Sequence, residues 1–200
     1  MKKVHIVIIV VALISVSVIF GLFEPRKSIF TERLGDMTLT RYETGETAKQ
    51  QISNIFALKD IPLEKGYSAV YQSNKGTMHM WVAEPYDHNV ANNAFITMNS
   101  MLGGPKGKHD EHENSGEAGQ TDSHNEHDYS KMMNGSFTTP EIIDITEFEI
   151  PSVYMMKANN SFNYYYFKMN YNKGRVYWII FDSYDTEYQL SVVKQAVMKI

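Results

Sequence analysis

Two stretches of this chain, 98 positions apart, follow one local plan. Asn74-Lys75-Gly76 recurs as Asn172-Lys173-Gly174, and Glu84-Pro85-Tyr86-Asp87 recurs as Asp182-Ser183-Tyr184-Asp185 at the same offset. The turn triplets carry residues that accept positive φ, so each joins two antiparallel strands. The strands are Tyr67 to Gln72 with Thr77 to Ala83, and Asn163 to Met169 with Arg175 to Phe181. Asp87 and Asp185 then read as N-caps, because a short carboxylate accepts from the free N–H groups that open a helix. Behind the caps run apolar stripes at helical spacing: Val90, Ala91, Ala94, Phe95, Met98 and Leu102, then Tyr188, Val192, Val193, Ala196, Val197 and Ile200. Turn, junction and stripe keep one spacing, which implies an internal duplication of a β-hairpin–helix unit.

Each hairpin has one apolar face that a helix stripe must cover. The expected class is therefore α+β, an antiparallel sheet with helices packed on one face. In element order alone this resembles ferredoxin-like or α+β-barrel domains. Thr44-Gly45-Glu46-Thr47 predicts a further helix start, with Ala48, Ile52, Ile55 and Phe56 on one face. Ile142 to Ile150 and Val153 to Lys157 read as additional strands. The first half spans 36–102 and the second 137–200.

The remaining segments differ in composition. After Lys2 and Lys3, residues 4–23 are apolar except for His5, Ser15, Ser17 and Gly21. As a helix this run spans roughly 30 Å, the thickness of a bilayer core. It predicts a transmembrane signal anchor over 1–23, contacting the lipid bilayer, with 24–35 as a tether. A cleaved signal peptide is the alternative; Ser15-Val16-Ser17 resembles its cleavage site but lies inside the apolar run rather than after it. Lys2, Lys3 and the amino terminus compete with Arg26, Lys27 and Arg33 for the cytoplasmic side, but a charged three-residue stub resists translocation, so the body is expected outside the cytoplasm, at the cell membrane in a single pass.

Segment 103–136 is almost entirely Gly, Ser, Asn, Lys, His and acidic residues, too polar to offset the entropy of ordering, so a disordered loop is expected. Four of the seven histidines sit there, in His109-Asp110-Glu111-His112 and His124-Asn125-Glu126-His127. Neutral imidazoles spaced in this way, with carboxylates beside them, suit Zn²⁺ or Cu²⁺. His109, Asp110, Glu111, His112, His124, Glu126 and His127 are the candidate metal ligands. A solvated spacer and a pH-responsive segment are the competing readings. Met78-His79-Met80-Trp81 gathers soft donors and an indole, but strand alternation sends the methionines to one face and His79 and Trp81 to the other. In Asn163 to Phe167 the same alternation puts Tyr164 and Tyr166 opposite Tyr165 and Phe167, leaving one aromatic strip either packed or free for a partner.

Several classes are excluded by composition. A net charge of −4 with no basic cluster argues against nucleic-acid binding. The absence of cysteine removes disulfides, thiol nucleophiles and Cys-type zinc sites. No phosphate loop and no Gly-x-Ser-x-Gly elbow occur, so no enzyme is expected and no catalytic residue is named. The functional expectation is a membrane-anchored extracytoplasmic binding or accessory protein, capturing divalent metal through the His/acidic segment. The alternative is a non-catalytic structural subunit of a membrane or envelope complex, its partner a membrane protein or a second copy of the chain.

Overall fold

The computed structural model describes residues 28–55, 58–105, 137–145, 151–158 and 161–200. Eight strands are described: β1 (Arg33–Leu34), β2 (Met37–Thr44), β3 (Lys65–Ser73), β4 (Gly76–Glu84), β5 (Glu141–Ile143), β6 (Val153–Ala158), β7 (Ser161–Asn170) and β8 (Lys173–Phe181). Three helices accompany them: α1 (Glu46–Ser53), α2 (His88–Met101) and α3 (Thr186–Lys199). All strands join one antiparallel sheet in the order β1-β2-β3-β4-β8-β7-β6-β5. The α+β class stands.

Both predicted hairpins form, the first where its turn residues point. Ser73 pairs with Gly76, closing β3–β4 across Asn74 and Lys75. Asn170 pairs with Lys173, closing β7–β8 across Tyr171 and Asn172, with Tyr171 at φ 56°. The second turn therefore sits one residue earlier than the sequence repeat implies: Gly174 lies across from Met169, one step into the strand. Both predicted caps form, Asp87 accepting from Val90 N at 2.9 Å and Asp185 from Tyr188 N at 3.0 Å. α1 starts behind Gly45, at φ 74°, without a side-chain cap.

The expectation of helices on one face is corrected: they cover both. Along β8, Tyr177, Ile179 and Phe181 pack with Tyr188, Val192, Val193 and Ala196 of α3, whereas Val176 and Trp178 share a cluster with Ala91, Phe95 and Met98 of α2 and with Ile52 of α1. Successive strand residues point to opposite faces, so the two clusters lie on opposite sides of the sheet. The one-residue slip in the second turn is the physical reason. At the centre, β4 pairs with β8 so that Trp81 lies opposite Trp178, which relates the hairpins by 97 positions while the caps are related by 98. A one-residue slip inverts side-chain facing along a strand. Met78 thus belongs to the α3 side and its sequence counterpart Val176 to the α2 side. The twofold that relates the hairpins does not relate the helices that follow them.

Two further expectations change. The tether over 24–35 is part of the fold in its last residues, since Phe30 and Leu34 are buried in the core beneath α3 and Arg33–Leu34 forms β1. The strand β2, not expected from the sequence, extends the sheet beyond β3. The anchor over 1–23, the bulk of segment 103–136, Phe56 and residues 146–150 lie outside the described residues. Among the described residues no helix is long and apolar enough to cross a membrane.

Candidate functional site

On the α2 face, α2 covers β7 and β8 while α1 covers part of β2 and β3. Between α1 and the sheet a cleft of about 330 Å³ remains, lined by Arg41, Ser68, His79 and Trp81 from three neighbouring strands and by Gln51, Asn54 and Ile55 from α1 and its end. Strand register assembles its floor. Arg41 lies across from Val70 and Val70 from His79; one step along, Glu43 lies across from Ser68 and Ser68 from Trp81. Two rows of side chains thus project into one space, which a pleated sheet provides whenever register is kept.

The side chains in the cleft are held in defined ways. His79 and Trp81, two residues apart on one face, stack with ring centroids 5.7 Å apart and planes 19° from parallel. Burial pushes the His79 imidazole below the ordinary value of 6.5; nearby Asp182 opposes this and Arg41 adds to it. The ring is therefore a neutral hydrogen-bonding group at neutral pH. Gln51 donates from Nε2 to Glu43 Oε2 at 3.2 Å, and Arg41 Nε lies 3.7 Å from Glu43 Oε1. The cleft offers an aromatic wall, a neutral imidazole and a guanidinium at its rim.

The Met78-His79-Met80-Trp81 constellation is divided as strand alternation requires. Met78 and Met80 are fully buried in the α3-side core, and His79 and Trp81 line the cleft on the other side. They do not form a joint ligand set. The Tyr-rich strand is packed on both faces: Tyr164 OH donates to Gln189 Oε1 of α3 at 2.9 Å, and Tyr165 OH donates to Asn99 Oδ1 of α2 at 2.7 Å. Tyr165 further stacks on Tyr154 at 5.1 Å and on Trp178 at 5.2 Å. No aromatic strip on β7 is left for a partner. His88 is exposed at the start of α2.

The predicted metal ligands His109, Asp110, Glu111, His112, His124, Glu126 and His127 lie outside the described residues. Among the described residues no group of three or more His, Asp or Glu side chains converges as a metal site would. Of the cleft, the sequence singled out His79 and Trp81 as a candidate constellation and Ile55 as part of a helix stripe. Arg41, Gln51, Asn54 and Ser68 are scattered polar residues whose convergence follows from β2 joining the sheet and α1 folding back over it. No local spacing signals that event. Compared with family models, with curated proteins and with solved structures, the chain gives no match in any of the three.

Proposed function

We propose that the chain is a single-pass, membrane-anchored extracytoplasmic binding protein without catalytic activity of its own. The apolar run over 4–23 supports the anchor. The observation that carries the binding role is the cleft in which His79 stacks on Trp81 beside Arg41 and Ser68. Its chemistry suits a flat organic ligand bearing an acidic edge: the indole and Ile55 offer apolar surface, Arg41 offers a planar guanidinium for a carboxylate, and Ser68 and neutral His79 offer hydrogen bonds.

The test exploits the two tryptophans, of which Trp178 is buried and Trp81 lines the cleft. Titrating the full chain with aromatic carboxylates should give a saturable change in tryptophan emission that Trp81→Phe abolishes and Arg41→Gln weakens by about tenfold, the scale of one charge-assisted hydrogen bond. Emission that stays constant across the panel would remove the cleft from the binding role. A second ligand class is favoured by the paired His-x-x-His spacing of segment 103–136, which supports capture of Zn²⁺ or Cu²⁺.

A further inference from the structure

Charge in the cleft is arranged on both sides of His79. Arg41 lies across from Val70 and Val70 from His79, so a guanidinium and an imidazole flank one apolar residue of the cleft floor. On the other flank Ile180 lies across from His79, and Asp182 follows at the end of β8, its N–H donating to Thr77 O at 3.2 Å. The Asp182 carboxylate accepts from Thr77 N at 2.5 Å, which fixes it beside the residue two before His79. Glu43 lies 3.7 Å from Arg41 Nε and accepts from Gln51 Nε2. In α1, Glu46 and Lys49 pair with each other at 2.9 Å, and Gln51, Asn54 and Ile55 bring no charge to the cleft. The imidazole is thus poised between opposed influences: burial and Arg41 disfavour its charged form and Asp182 favours it.

From this geometry we propose that the cleft takes the carboxylate of its ligand together with one proton from solvent, accepted by His79, so that it captures monocarboxylates more tightly as the surroundings acidify. The inference rests on the cleft being a ligand site. A carboxylate seated over Val70 meets the Arg41 guanidinium on one side and the His79 ring on the other. Once there, it gives the ring a second negative neighbour besides Asp182 and offsets the repulsion from Arg41, and a nearby opposite charge favours the protonated form. Arg41 and Glu43 already cancel, so a carboxylate and a proton arriving together leave the charge of the cleft unchanged. A second carboxylate on the ligand has no such partner and finds Glu43 beside Arg41. The coupling is reciprocal: a ligand that raises the proton affinity of the ring binds better to the protonated ring. Affinity therefore rises as the pH falls from the ring's value in the complex to its lower value in the empty cleft, and is level outside that window.

The test uses benzoate as the probe and benzamide as its uncharged counterpart, each titrated into the full chain in mild detergent and followed by tryptophan emission. Between pH 7.5 and pH 5.5 a carboxylate stays ionised while an imidazole titrates. Benzoate should bind about three- to tenfold more tightly at pH 5.5, tenfold being the limit for a ring whose pKa rises by one unit on binding. Benzamide should show no such rise. In His79→Gln, shown to be folded by near-UV circular dichroism, the ratio of benzoate affinities at the two pH values should fall to about one. Calorimetry of the unaltered chain at pH 6, in two buffers of different ionisation enthalpy, should give different heats, because each benzoate draws a fraction of a proton from the buffer. Absence of benzoate binding at both pH values removes the ligand role of the cleft and this inference together. Equal benzoate affinity at both, an equal rise for benzamide, a rise that survives in His79→Gln, or heats independent of the buffer removes the proton coupling alone.

Discussion

His79 shows how one residue ties the cleft to stability. Its imidazole is half-buried against Trp81, and burial lowers its proton affinity in the native state relative to 6.5 in the open chain. Protons then bind the unfolded chain first, so this residue's contribution to stability is complete above pH 6.5 and falls as the pH drops through that value, until the lowered native pKa is passed. Urea denaturation between pH 7 and 5 should show a loss of stability that is smaller in His79→Gln; equal losses in both proteins would mean the ring is not held neutral. Tyr164 and Tyr165 are instructive for the opposite reason. Neighbours in sequence, they bury their hydroxyls on opposite faces and find Gln189 and Asn99 as partners. Alternation made the split legible, but the partners became visible only once α3 and α2 were placed.

At the scale of elements, local signals performed well where they had a short-range cause. The two caps, the hairpins and the α3 stripe follow from hydrogen bonding within a few residues and from helical periodicity, and Tyr188, Val192, Val193, Ala196, Val197 and Ile200 are all buried. The strand β2 was missed because its apolar alternation is short: Met37 and Leu39 alternate with Thr38 and Thr40, the register then shifts between Leu39 and Arg41, and apart from Met37 its residues are exposed or half-buried. The most constrained contact between elements is at Gly174. A Cβ there would lie 2.6 Å from Ala91 Cβ and 2.7 Å from Phe167 Cε2, so β8 and α2 approach as closely as they do because this residue has no side chain. Gly174→Ala should destabilise the chain by about 1–3 kcal/mol, the usual cost of overpacking, measured as a lower midpoint in chemical denaturation. An unchanged midpoint would show that α2 can move away at no cost.

For the whole molecule, the folded body is an eight-stranded sheet covered by α3 on one face and by α1 and α2 on the other. Segment 103–136 joins the end of α2 to β5, so metal capture through it is expected to be separable from the fold. Calorimetry of the full chain with Zn²⁺ should report about one ion per chain through His109, His112, His124 and His127, a common count for imidazole and carboxylate sites. Replacing all four by Ala should remove the heat of binding while leaving near-UV circular dichroism intact. Identical titrations of both proteins would leave the segment as a spacer.

The sequence by itself determined the local units: which residues turn, which cap, which stripe a helix buries, and that two such units recur. These depend on interactions within one turn of helix or across one hairpin. Only the tertiary structure decided that the second hairpin turns one residue early, that α2 and α3 therefore cover opposite faces, and that Arg41, Ser68, His79 and Trp81 share a cleft. Those outcomes depend on the register between strands distant in sequence, Trp81 against Trp178 above all. A slip of one residue there costs little in local pattern but inverts every side chain along the strand, so the balance is struck by packing across the whole sheet.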